Sequence, residues 1–176
     1  QVWMARGHEQ AIALLRGLDI PGYFNGAARG VLPPGDPHHF DRTRSKAFDK
    51  ADVIVVIGTP FDFRMGYGKR ISRELTLVQI DLDYRTVGKN RDIDLGIVGD
   101  PGAVCAAVLQ AASGRIKNDK RQARRAWMKD LALQEDAALE KQVMDGALAS
   151  GEAKLIALAQ EWLRDTGQVV PATASR

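Results

Sequence analysis

The period of the apolar positions changes several times along the first hundred residues, and each change marks an element. Ala11, Leu14, Leu15 and Leu18 recur at three and four, which predicts one face of a helix over residues 7–18. Pro21-Gly22 stops that helix, and Tyr23-Phe24 predicts a short strand. Residues 26–45 (GAARGVLPPGDPHHFDRTRS) carry no period and have the composition of a loop. The segment is longer than most α/β connections, which marks part of it as a functional candidate. A short helix is expected over residues 45–51. The unbroken β-branched run Val53-Ile54-Val55-Val56-Ile57, closed by Gly58, predicts a parallel strand buried on both faces. Residues 75–81 and 94–99 predict two more strands. Asp100-Pro101 then opens a helix, with the carboxylate as N-cap and the proline where its missing N–H costs nothing. Ala103, Val104, Ala107, Val108 and Ala111 read as the apolar face, and Ser113-Gly114 as the end.

Strands alternating with helices predict an α/β fold: a Rossmann-like parallel sheet with flanking helices and right-handed crossovers. The expected sheet lacks its first strand, because a doubly wound domain opens on a strand and this chain opens almost directly on a helix. After Gly114 the pattern changes. Arg115, Lys117, Lys120, Arg121, Arg124 and Arg125 form a basic run, and Trp127, Leu131, Ala138, Leu139 and Val143 follow at roughly helical spacing. Leu155, Ile156, Leu158, Ala159, Trp162 and Leu163 mark a second amphipathic helix. The expected organisation is a domain over residues 1–114, a helical basic linker over 115–145, and a helical C-terminal extension with a frayed tail over 146–176.

Composition narrows the function classes. The chain has 176 residues, room for one domain or one and a half. Lys plus Arg number 25 against 22 Asp plus Glu, a balance of +3 that is too mild to imply nucleic acid. Asp119 and Gln122 interrupt the basic run, and Asp130, Glu135, Asp136 and Glu140 follow it. An amphipathic helix on a protein surface explains the run better than phosphate-backbone contacts, and no nucleic-acid partner is expected. No apolar run approaches the roughly 20 residues of a membrane span, so no membrane partner is expected either. The single Cys105 excludes an internal disulfide, fits a reducing, cytoplasmic compartment, and reads as a small buried hydrophobe. His38-His39 reads as part of a solvated loop in preference to a metal site, and Trp127 and Trp162 read as packing residues.

Candidate chemistry collects where the predicted strands end, the position at which open parallel sheets bind ligands. The first strand leads into Gly58-Thr59-Pro60-Phe61-Asp62-Phe63-Arg64-Met65-Gly66-Tyr67-Gly68. Its glycines let backbone approach a ligand closely, and Arg64 can meet a phosphate or carboxylate. The second ends on Asp81-Leu82-Asp83, where a carboxylate can take both ribose hydroxyls. The third ends on Gly99-Asp100 at the mouth of a helix. Together these describe a nucleotide cleft. Each also has a plainer reading: turn glycines at Gly58 and Gly66, a solubilising pair at Asp81 and Asp83, a helix cap at Asp100. No G-x-G-x-x-G fingerprint is present.

Four segments in order carry a family resemblance. They are Asn25-Gly26-Ala27-Ala28-Arg29-Gly30-Val31-Leu32-Pro33; Arg44-Ser45-Lys46-Ala47; Gly58 to Gly66; and Gln79-Ile80-Asp81-Leu82-Asp83 with Val87-Gly88-Lys89-Asn90 and Gly99-Asp100. Residues 2 to about 113 resemble the central domain of the thiamine-diphosphate-dependent decarboxylases and carboligases, above all acetolactate synthase-like proteins and then the 2-hydroxyacyl-CoA and oxalyl-CoA lyases. The resemblance implies a Rossmann-like domain that binds FAD in a structural role, or ADP or the nucleotide part of CoA, while thiamine diphosphate and Mg2+ belong to flanking domains missing from this sequence. It places Gly58, Thr59, Phe61 and Arg64 on the pyrophosphate and flavin side, Asp81 and Asp100 at ribose and adenosine groups, and Arg44 at a further phosphate. Pro60 stands where acetolactate synthases usually carry Arg, and it offers neither charge nor N–H. The implied parent joins a decarboxylated 2-oxo acid to a second carbonyl compound, or cleaves an acyl-CoA; the remaining alternative is a non-catalytic nucleotide-binding remnant. The chain alone is expected to be inactive, with no catalytic or metal residue of its own, and a homo-oligomer is among the expected partners.

Overall fold

The structure, a computed structural model, describes residues 2–165 and divides into two compact units, Gln1–Ala132 and Leu133–Arg176. The first unit holds α1 (His8–Leu18), β1 (Gly22–Tyr23), β2 (His39–Phe40), α2 (Arg44–Lys50), β3 (Val53–Ile57), β4 (Thr76–Asp81), β5 (Leu95–Val98), α3 (Pro101–Ala112) and the start of α4 (Asn118–Ser150). All strand pairing is parallel. β1 pairs with β2, and β3-β4-β5 form a separate three-stranded sheet with Val55 beside Val78 and Val78 beside Leu95. The fold is therefore α/β with parallel strands and flanking helices. The second unit contains the rest of α4 and α5 (Ala153–Asp165), turned at Gly151 with φ +67°, a conformation that favours glycine. The expected frayed tail lies outside the described residues.

The two faces of the three-stranded sheet differ. Ile54, Val56 and Leu77 share one face and pack with Phe61, Ile71 and Leu75 under Phe48, Ala51, Met65 and Ile93. On the opposite face α1 and α3 cover only the carboxyl end, where Ile57 meets Val2, Ala11, Leu14 and Cys105. Val53 and Val55 on that face are 53% and 44% exposed. The expectation of a strand buried on both faces thus fails at β3. An unbroken apolar run shows that both faces can be covered, and the chain supplies cover along half of one.

Helix α3 also turns a different face inward. Pro101, Gly102 and Cys105 are buried, whereas Ala103, Ala107, Val108 and Ala111 are exposed. The helix is apolar almost all round, so periodicity selects no unique face. Contact with α1 makes the selection. A Cβ on Gly7 would stand 2.7 Å from the Gly102 amide nitrogen, and one on Gly102 would stand 2.9 Å from the Gly7 Cα. Two glycines bring the helix starts together, and Cys105 and Leu109 follow along the seam.

Two loop expectations also change. Residues 26–45 contain a short helical turn (Gly26–Ala28) and β2 as well as loop. His38 and His39 are not solvated, with side chains 12% and 15% exposed. The His39 ring packs 5.7 Å from that of Phe24, and His38 sits against the Asp36 carboxylate. Local composition reads as loop because two-residue strands leave no periodic trace.

The basic run is part of the first unit. Arg121 donates to the Gly17 carbonyl and the Asp19 carboxylate, both at 2.9 Å, and Arg124 donates to the Leu18 carbonyl. Arg125 reaches the other Asp19 oxygen at 2.9 Å. Three guanidinium groups thus close the carbonyl end of α1, where the helix dipole favours cations. Met128 and Leu131 continue inward to Phe40 and Ala47, with Trp127 and Tyr23 alongside.

Candidate functional site

The carboxyl ends of β3, β4 and β5 are held level by backbone bonds. The Gly58 amide donates to the Ile80 carbonyl at 2.8 Å, and the Gly99 amide to that of Asp81 at 3.0 Å. Gly58, Thr59, Asp81 and Asp100 therefore stand along one edge. Beyond Gly58 the chain turns through a short helical segment, Phe63–Gly68, in which Gly66, Tyr67 and Gly68 all have positive φ of 55°, 53° and 70°. Tyr67 is the strained member, since a side chain disfavours that region. Asp62 starts the turn by accepting the Arg64 amide at 2.9 Å, and its carboxylate also holds the Arg64 guanidinium at 3.1 Å.

This turn meets the loop after β1. Asn25 donates to Met65 Sδ at 3.2 Å, and its side-chain oxygen accepts Arg44 Nη1 at 3.0 Å. Arg44 Nη1 is thereby brought to 4.0 Å from Met65 Sδ, so a cation from a distant segment reaches this turn. Arg64 is exposed, its guanidinium 5.3 Å from the Phe63 ring centroid. A Cβ at Gly66 would meet nothing within 4 Å, which leaves open space over the turn. An arginine beside an open, glycine-lined turn has the chemistry to meet an anionic group such as a phosphate.

The other expected site residues are placed differently. Phe61 is 1% exposed and belongs to the core under β3, so its backbone and not its ring borders the loop. Asp81 is fully buried, and one of its oxygens accepts the Asp83 amide at 2.9 Å. The half-buried Asp83 is held by Arg85, whose side-chain hydrogen bond keeps its carboxyl below the usual range. Asp100 caps α3 through the Ala103 amide at 2.9 Å. Thr59 is partly buried, with its hydroxyl toward the Ile57 carbonyl. Arg44 thus touches the glycine turn that carries Arg64, whose guanidinium is held by Asp62, and Asp81 and Asp100 have structural partners at the adjoining strand ends.

Two residues that sequence reasoning quotes only within the resemblance, without a site role, brace this edge. Gln79 is fully buried in β4. Its amide nitrogen donates to the Thr59 carbonyl at 3.4 Å and its oxygen accepts the Gly88 amide at 2.8 Å. Asn90, at φ +68°, donates to the Phe61 carbonyl at 3.2 Å. The available signal was a polar amide inside an otherwise apolar strand. Two surface depressions lie elsewhere, at the amino ends of the strands, one beside Arg73, Arg91 and Asp94, the other beside Asp52, Lys69 and Glu74. Among the described residues no group of three or more His, Cys, Asp or Glu side chains converges to hold a metal ion.

The class that the fold defines is a parallel α/β domain with flanking helices and an open glycine turn beyond its first long strand. Residues 1–108 match the family model for the thiamine pyrophosphate enzyme central domain, and the chain belongs to that family. It is 33% identical over 142 residues to a probable acetolactate synthase of Mycobacterium bovis, covering 80% of this chain and 24% of that protein. It is 29% identical over 165 residues to 2-hydroxyacyl-CoA lyase 2 of Bos taurus, covering 87% of this chain and 24% of that protein. A probable sulfoacetaldehyde acetyltransferase of Rhizobium meliloti is 29% identical over 145 residues, covering 70% of this chain and 24% of that protein. The chain thus spans about a quarter of the length of the relatives it matches.

Proposed function

We propose that this chain is the nucleotide-binding central domain of a thiamine-diphosphate-dependent carboligase of the acetolactate synthase type, with FAD bound in a structural role. The observation that carries the reading is Arg44, held by Asn25 beside Met65 in the open glycine turn after β3, in a chain of this family. The residues present fit the phosphate portion of such a ligand. They fit the ribose less directly, because Asp81 is buried and Asp83 is engaged by Arg85. Thiamine diphosphate and Mg2+ would be held by flanking domains of a longer polypeptide and would act there as the electron sink for decarboxylation of a 2-oxo acid. This domain would frame that chemistry from a cytoplasmic, homo-oligomeric enzyme. The two parallel sheets are read as halves of one Rossmann-like sheet, which a strand preceding α1 in the longer protein would join. The Asn25–Met65 contact supports this, since it ties the segment after β1 to the segment after β3.

A second reading has its own support. Similarity to 2-hydroxyacyl-CoA lyase 2 extends over more of the chain, and Pro60 removes a cation that FAD phosphates would use. In that case ADP or CoA occupies the same turn and the parent cleaves an acyl-CoA. Titration with FAD, ADP and CoA separates the two. FAD bound tightly with CoA and ADP failing supports the carboligase, and the reverse order supports the lyase. Arg64→Ala is expected to weaken the preferred ligand about tenfold, the loss of one charge-assisted contact. Saturable binding by neither class would remove both readings.

A further inference from the structure

We propose that Gln79 is the positioning residue of this cleft: one buried side-chain amide spans the Thr59 carbonyl and the Gly88 amide, and so sets the spacing of two ligand-facing loops. The inference rests on the nucleotide-cleft reading above. Leu77, Gln79 and Asp81 lie on the same face of β4, the face on which Ile54 and Val56 pack into the apolar core. A polar amide in that layer is costly unless both its ends are bonded. Both are bonded, and both partners are backbone groups outside any strand.

The partners are regularly spaced. Gln79 joins Thr59 to Gly88, and two residues further along each loop Asn90 joins itself to Phe61. A third tie follows, in which Arg91 Nη2 donates to the carbonyls of Ile71 and Ser72 at 3.0 and 3.1 Å. The loop after β3 and the loop after β4 are thus laced together over their whole approach. Gly88 and Asn90 take positive φ of 73° and 68°, conformations that the ties hold in place. The turn carrying Arg64 starts three residues after Thr59. A fixed Thr59 carbonyl therefore fixes where that turn begins. Preorganisation of this kind raises affinity by removing the ordering cost of the loops.

The test uses the full chain and the probes FAD and ADP. Gln79→Met keeps length and volume but breaks both bonds, and Gln79→Glu keeps the acceptor for Gly88 while losing the donor to Thr59. Gln79→Met is expected to weaken the better probe about tenfold while the chain still unfolds cooperatively. In Gln79→Glu, burial raises the carboxyl pKa, so acidification from pH 8 to pH 5.5 restores an O–H donor for Thr59. Affinity should recover several-fold in this variant and stay flat in wild type and in Gln79→Met, a response that a space-filling role would not give. Equal affinity of wild type and Gln79→Met overturns the positioning role while leaving the cleft reading intact. If wild type binds neither probe, the cleft reading itself fails, and Gly88 amide exchange decides the brace: unchanged protection in Gln79→Met overturns it, and faster exchange upholds it. If Gln79→Met does not fold, Asn90→Ala removes the second tie from a partly exposed site, and unchanged affinity there counts against the brace.

Discussion

Asp19 shows how one residue organises its surroundings. It ends α1 in the left-handed region at φ +52°, is buried, and receives Arg121 and Arg125. The Arg125 hydrogen bond, helped by Arg121 and opposed by burial, holds its carboxyl below the ordinary range. A carboxyl depressed in the folded state stabilises above its unfolded pKa of about 3.9, and that stabilisation is lost as pH falls through the lower folded value. Asp19→Asn is expected to cost about 2 kcal/mol at pH 7, the scale of hydrogen bonds to a charged group. Urea unfolding from pH 7 down to pH 3 should show the gap between wild type and variant closing below about pH 4. The six cations were legible as a basic run, and their preference for a protein surface was legible from the interleaved acids. Their target was not, because Arg121 and Asp19 are 102 positions apart and no local period links them.

At the level of elements, glycine has opposite meanings in two helices. Replacing a mid-helix glycine by alanine ordinarily gains about 1 kcal/mol. Gly146 in α4 has nothing within 4 Å of its would-be Cβ, so Gly146→Ala is expected to stabilise by about that amount. Gly102→Ala places a methyl group 2.9 Å from the Cα of Gly7, the N-cap of α1, and overpacking of about 1–3 kcal/mol outweighs the propensity gain. Thermal melts of the two variants should shift in opposite directions. The elements themselves were largely legible: α1, α2, β3, β4, β5 and α3 lie within a residue or two of their predicted bounds. What faced inward was less so. The Val-Ile run of β3 and the Ala-Val run of α3 are apolar on every side, and tertiary contacts chose among equivalent faces.

For the whole molecule, the boundary at Ala132 matters more than the change of composition at Gly114. The start of α4 supplies Met128 and Leu131 to the core and three arginines to the end of α1. A chain ending at Ala132 is expected to keep the cooperative unfolding of the first unit. One ending at Gly114 loses those contacts and should melt at least 10 °C lower, since each kcal/mol shifts a domain of this size by about 4 °C. Scanning calorimetry of the two truncations decides the matter, and equal midpoints would return α4 to the status of a spacer. The candidate site was legible as a region, because strand ends in parallel sheets are where ligands bind. Its internal division was not. Arg44 reaches the turn after β3 through Asn25 and Met65, contacts that no spacing announces, while Asp81 turned inward to hold its own turn.

The thiol of Cys105 lies wholly out of solvent in the seam between α1 and α3, and burial, with the nearby Asp100 charge, pushes its pKa up. A modifying reagent reaches it only after the helices part and the proton leaves. The molecule therefore carries its own stopwatch, one sulfur that records how often the glycine-to-glycine crossing comes undone.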